Sequence, residues 1–239
     1  MYKLPVIKIF TEAFLLPFYN KQYYSSTLAI PTLIFVSIVA VIQLISPIGQ
    51  LLGWIFYFLY AIGFAIFAIS CHRLILIHTG IWNSHSITHT ARRVTIFLIW
   101  LILLYVIIFG IDIVFFTLGS SIIWMIYNQP DNFDNVKVIF SIPGKYILGR
   151  LCLTLPAAAI DIKQSFYWSW KITGNNGIRM LIIIGIIPWI FQLLVTMIWR
   201  TDSTLIEQTL LGLLAYFLMA IEIFALSLTY KAYNNQEPE

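Results

Sequence analysis

Five predominantly apolar runs, at about 27–46, 51–71, 94–118, 178–199 and 205–230, constrain this chain more than any motif in it. A helix that crosses a bilayer needs about 20 such residues. One water-soluble core cannot hide five of them. Only 10% of the residues are charged, against about a quarter in an ordinary soluble domain. With 60% hydrophobic residues and a mean hydropathy of +0.89, the 239-residue chain reads as an integral membrane protein. No long polar block remains for a soluble domain, so a single membrane-embedded domain over 1–239 is the economical organisation.

The net charge of +4 does not point to nucleic acid, because the basic residues are dispersed at the ends of apolar segments. They report topology instead. Lys3, Lys8 and Lys21 precede the first run, Arg73, Arg92 and Arg93 follow the second, Lys163, Lys171 and Arg179 follow residue 161, and Lys231 closes the last. All fall on one side if a sixth span crosses between the third and fourth clear runs, leaving only Lys137 and Arg200 opposite. The expected fold is all-α: a polytopic membrane protein with six transmembrane helices as three hairpins, interfacial amphipathic helices and both termini cytoplasmic. Its parts are an interfacial N-terminal helix (1–26), a six-helix bundle (27–230) and a short cytoplasmic tail (231–239).

The N-terminal stretch LPVIKIFTEAFLLPF is apolar but is interrupted by Lys8 and Glu12 and lacks a following cleavage site, so it is not read as a signal peptide. Ile7, Phe10 and Phe14 recur at helical spacing with Lys8 and Glu12 off that face, the pattern of a helix lying in the headgroup region. A similar segment, IKQSFYWSWKITGNNG at 162–177, precedes the fifth run. Lys8, Asn20 and Pro31 are echoed by Lys163, Asn175 and Pro188 at nearly matching intervals. This suggests that the first and third hairpins repeat one another. Such repeats are common in transporters and do not by themselves establish transport.

The sixth span must be IPGKYILGRLCLTLPAAAID, from about Pro143 to Ile162. It carries Lys145 and Arg150. Each central Lys or Arg costs about 2.5–3.5 kcal/mol on insertion, more than a few Leu or Ile residues offset. The span therefore needs shelter from neighbours, and Arg150 needs a partner. Asp112 and Glu222 are the acids well inside other spans. Axial heights at about 1.5 Å per residue pair Lys145 with Asp112 and Arg150 with Glu222. Lys145, Arg150, Asp112 and Glu222 are thus the candidate intramembrane polar site. Two readings stay open: ion pairs that fix helix register, or a site for a lipid headgroup, an anion or a proton.

Other chemistry is sparse. Cys71 and Cys152 lie at or inside apolar segments and do not suggest a structural disulfide. His78, His85 and His89 share one loop, where His85 and His89 at i, i+4 could face a metal, but no carboxylate or cysteine accompanies them. No metal site and no cofactor is expected. There is no P-loop, no G-x-S-x-G elbow and no acid, base and nucleophile set, so the chain is not read as an enzyme.

IPGKYILGRLCLTLPAAAID, followed by SFYWSWKITGNN, resembles a pattern in bacterial inner-membrane proteins of the YciC type and in the membrane domain attached to some glycerophosphodiester phosphodiesterases. Pro143, Gly144, Pro156, Asp161, Ser169, Trp170, Thr173 and Asn175 carry the match, and CHRLILIHTG and ALSLTYKAY look like the ends of corresponding hairpins. The resemblance implies a six-helix protein of the bacterial inner membrane. It lends no catalytic residues, because the phosphodiesterase site belongs to a separate soluble domain. The expected function is non-enzymatic: organising or accompanying membrane components, with membrane lipids and membrane proteins as partners. A small transporter or permease-like subunit that uses the charges of helices three, four and six is the alternative.

Overall fold

In a bilayer no water is available to the backbone, so a spanning segment must satisfy its own N–H and C=O groups, and an isolated apolar segment does so only as a helix. The computed structural model describes residues 3–19, 28–34, 36–37, 50–78, 87–127, 139–198 and 205–235, and among these no strand occurs. The helices are α1 (Val6–Tyr19), α2 (Gln50–Ile77), α3 (Ile87–Tyr127), α4 (Ile142–Leu151), α5 (Thr154–Ala159), α6 (Phe166–Ile172), α7 (Gly177–Met180), α8 (Ile187–Ile198) and α9 (Leu205–Asn234). A short 3-10 turn, Gly174–Asn176, leads into α7, and a wider π-type turn, Leu181–Ile186, joins α7 to α8.

Among the described residues, four stretches are long and apolar enough to cross a membrane: Phe58–Ile77, His89–Ser121, Gly174–Ile198 and Leu211–Asn234. The chain is a helical multi-pass membrane protein. These four correspond to the second, third, fifth and last expected spans. The first, 27–46, lies largely outside the described residues, with 28–34 and 36–37 helical.

The expected span from Pro143 to Ile162 is not one helix. It breaks into α4 and α5 at Cys152 and Leu153. Pro156 causes the break: it has no N–H for the Cys152 carbonyl four residues back, and its ring crowds that carbonyl. Leu155 N–H takes the carbonyl instead, at 3.0 Å. The broken segment is sheltered, with every residue from Gly149 to Ala159 buried. Small side chains make that possible. A Cβ on Gly149 would lie 3.0 Å from the Met180 backbone, so α4 and α7 touch main chain to main chain. Around this hub α3 packs on α4 and α5, α2 on α5 and α9, and α8 on α9.

The core runs along the facing sides of α2, α5 and α9, through Phe67, Ile69, Leu153, Ile221 and Phe224. α1 packs alongside α9, with Phe14 and Phe18 edge-on to Phe217 and the Leu4 N–H donating to Asn176 Oδ1 at 3.1 Å. Ile9 and Ala13 are buried and Phe10 packs against the core, whereas Ile7, 83% exposed, faces outward and Phe14, half exposed, also meets Phe217, so the expected Ile7, Phe10 and Phe14 face is divided. Asn20 and much of the first hairpin lie outside the described residues, so the repeat is not visible there.

Candidate functional site

Arg150 is 6% exposed and does not meet Glu222. Its guanidinium is held by neutral groups. Nε donates to Thr173 Oγ1 at 2.8 Å, Nη1 to Tyr146 Oη at 3.0 Å and Nη2 to the Trp170 carbonyl at 2.5 Å, while the Trp170 ring lies 3.9 Å from the guanidinium carbon. The Ser169 hydroxyl in turn donates to the Arg150 carbonyl at 2.6 Å. A flat, five-donor cation suits this socket, and the stacked indole adds a cation–π contact. The expected Arg150–Glu222 pair is thus replaced by a clasp that fastens α6 to α4. It falls in the stretch where Ser169, Trp170 and Thr173 carried the resemblance.

Asp112 does approach Lys145. Its carboxylate lies so close to Gly144 that a Cβ there would collide with Oδ1, and Lys145 is the next residue. No ion pair within 4 Å forms between them; Lys145 Nζ donates to Ser141 Oγ at 2.9 Å and stands 5.3 Å from the Trp189 ring centre. Asp112 Oδ1 is buried without a hydrogen-bond partner among the described residues. Glu222, on α9, has neither an ion pair nor a hydrogen bond among them; it shares with Lys145 a cavity of about 480 Å³. So the four candidates divide. Arg150 belongs to the clasp, Asp112 stands beside Lys145, and Lys145 and Glu222 line one cavity.

A second polar centre lies where α2, α3 and the α5–α6 turn meet. α5 ends with the Ile162 N–H on the Ala157 carbonyl at 2.9 Å and the Asp161 N–H on the Ala158 carbonyl at 3.3 Å, the double closure of a Schellman motif. That motif places Asp161 at φ 66°, a position where glycine is usual. Aspartate tolerates it better than most residues, and here its carboxylate is engaged. Arg93 Nε donates to both Asp161 oxygens at 2.8 and 2.7 Å, and Arg73 Nη1 lies 3.6 Å from Oδ2 while donating to the Ala159 carbonyl at 3.3 Å. Three chain segments are clamped by one side chain.

Beside the clamp opens a cavity of about 650 Å³, with Arg92, Arg93, Lys163 and His89 as its cationic or titratable lining and Asp161 as its carboxylate. Ile96 and Trp100 form an apolar wall, and Trp100 meets Phe166 edge to face at 4.7 Å. Arg93 Nη1 is buried with no acceptor among the described residues. Counting Arg73, four permanent cations gather around a single carboxylate, leaving a surplus of three.

Charge counting along the sequence treated Arg73, Arg92, Arg93 and Lys163 only as topology markers. The signal that they form a site was the Arg92–Arg93 pair opening one span, opposite an Asp that closes another. Buried His72 was also passed over: its Nδ1 is 2.7 Å from Ser227 Oγ, which donates to the Ile223 carbonyl at 2.9 Å, tying α2 to α9. Of the loop histidines, His85 lies outside the described residues. Among the described residues no three His, Cys, Asp or Glu side chains gather as metal ligands, and Cys71 and Cys152 are free thiols. No protein-family model, no curated protein and no solved structure matches the chain.

Proposed function

We propose that this is a non-enzymatic protein of the bacterial inner membrane that binds the phosphate group of an anionic lipid, and that it organises or accompanies other membrane components in that state. The cation surplus around Asp161 supports this reading above all: exposed Arg92 and Lys163 line the same cavity as Ile96 and Trp100, which follow Arg92 along one face of α3. An anionic headgroup with its glycerol and upper acyl carbons needs that combination, a cationic patch continuous with an apolar wall, and the Trp100–Phe166 pair has the character of an interfacial aromatic belt. Phosphodiesters also suit arginine, which offers two parallel donors to one oxyanion. The alternative, a small transporter or permease-like subunit, is supported by the second cavity, which Lys145 and Glu222 share.

Lipid binding is tested by native mass spectrometry of the full chain with equimolar phosphatidylglycerol and phosphatidylcholine. The wild type should retain phosphatidylglycerol in preference, and the double variant Arg92→Ala, Lys163→Ala should lose about tenfold or more of that preference, the size of one or two charge-assisted contacts. Equal retention of the two lipids by the wild type would remove the headgroup reading.

In the same proposal the clamp faces the cytoplasm, both termini are cytoplasmic and the polypeptide crosses six times, with α4 and α5 as one broken crossing. The support is the basic-residue asymmetry, which gathers Arg73, Arg92, Arg93 and Lys163 at one end of the bundle. Reporter fusions after Gln129 and after Asp202 should therefore read periplasmic. A cytoplasmic signal at either position would break the six-span topology.

A further inference from the structure

We infer that the cavity between α4, α8 and α9 is a second binding site, one that takes a zwitterion: an ammonium and an anionic group on one small molecule or lipid headgroup, with an apolar portion beside them. This goes beyond the headgroup site and rests on different residues. Lys145 and Glu222 line the same cavity, with no ion pair within 4 Å between them, and Glu222 has no other polar partner among the described residues. The remaining lining is apolar or aromatic, with Trp189 and Tyr60 prominent and the Gln192 amide as a further polar group. Asp112 stands beside Lys145 but forms no ion pair with it within 4 Å, so the ammonium keeps donors for a further anionic group, while Glu222 has no cation within that distance among the described residues. In low-dielectric surroundings a ligand that brings a group of opposite sign to each is strongly complementary. A ligand carrying both signs serves both side chains at once, which neither a simple cation nor a simple anion does.

The backbone around the cavity is suited to such a site. Gly185, in the π-type turn, lets the Lys145 stem approach so closely that a Cβ would stand 3.0 Å from Lys145 Cβ, and Pro188 follows at the start of α8. The π-type turn widens the helix, and the proline withholds a donor from it, so the local ladder is irregular beside the cavity. Irregular backbone at membrane depth is tolerated where it lines a protein cavity, and interrupted helices recur around the substrate sites of transporters.

Two sources share this chemistry, an apolar amino acid and an ethanolamine phospholipid headgroup, and one experiment separates them. The full chain is placed in nanodiscs of phosphatidylglycerol alone, which saturates the anionic headgroup site in every arm. Thermal unfolding is then followed with L-leucine or L-phenylalanine at about 10 mM, and separately with phosphatidylethanolamine added to the disc. One of the zwitterions should raise the midpoint by about 2 °C or more, while the leucine analogues lacking one charge, isoamylamine and 4-methylpentanoate, should not. Glu222→Gln, nearly isosteric, should abolish the rise. No rise in either arm, an equal rise with isoamylamine, or an undiminished rise in Glu222→Gln would overturn the inference. Should that variant fail to fold, the analogue series on the wild type decides alone.

Discussion

Arg150→Met should be among the most damaging single substitutions in this protein, lowering stability by roughly 2–4 kcal/mol as its clasp partners lose their donors in a buried site. The variant removes donors from Thr173, Tyr146 and the Trp170 carbonyl at once, along with the stacking on Trp170. Arg150→Lys should recover little, because one ammonium cannot present donors along three separate directions or stack as a plane. Adding Glu222→Leu should not rescue Arg150→Met, since the two side chains share no contact, and their effects should add within about 0.5 kcal/mol. Thermal unfolding of the three variants in detergent measures this. A rescue by Glu222→Leu would reinstate the direct ion pair.

Asp161→Ala should rank next, at about 2–3 kcal/mol: less than a fully buried pair because the carboxylate is half exposed and screened, more than a surface pair because both partners are sheltered. It strips the counter-ion from Arg73 and Arg93 while keeping a β-carbon at positive φ. Asp161→Gly loses the same ion pairs but relaxes the backbone, recovering about 1 kcal/mol. Asp161→Asn tolerates the left-handed conformation and keeps an acceptor for Arg93. The expected order of unfolding midpoints is wild type, Asn, Gly, Ala. Lipid retention should move differently: removing the one negative charge from a basic cavity leaves phosphatidylglycerol retention by folded Asp161→Asn equal to or above that of the wild type. A loss of stability with a parallel loss of anionic lipid would mean that the carboxylate itself orders the headgroup site.

The length of the apolar runs was enough to find α2, α3 and α9, because period and length are backbone requirements that any bilayer imposes. Pro156 stands in the sequence within the expected span, yet the break falls at Cys152 and Leu153, since the hydrogen bond that a proline withholds belongs to the carbonyl four residues earlier. Arg150 was misassigned for a related reason. Axial rise gives height along a helix but says little about what lies around it, and a search for acids overlooks hydroxyls and carbonyls, which here come from α6, its C-cap Thr173 and Tyr146 on α4 itself. The same arithmetic brought Asp112 and Lys145 to one height, and their helices pack directly on one another, but the two side chains stand near each other without an ion pair within 4 Å. Asp161 was legible only as the acid closing a span. Its role depends on a left-handed backbone angle and on two arginines 68 and 88 residues away along the chain, neither of which a local pattern carries.

The occupant of the basic cavity is read most directly by placing a photo-crosslinking phenylalanine analogue at Ile96, on its apolar wall, and a second at Val114, exposed on the same helix away from the clamp. Irradiation in native membranes followed by mass analysis of the adducts compares the two neighbourhoods. Headgroup binding predicts that adducts at Ile96 are enriched in anionic phospholipid over the bulk membrane, while those at Val114 follow bulk composition. The same lipid composition at both positions, or an adduct at Ile96 that is no phospholipid, would contradict it.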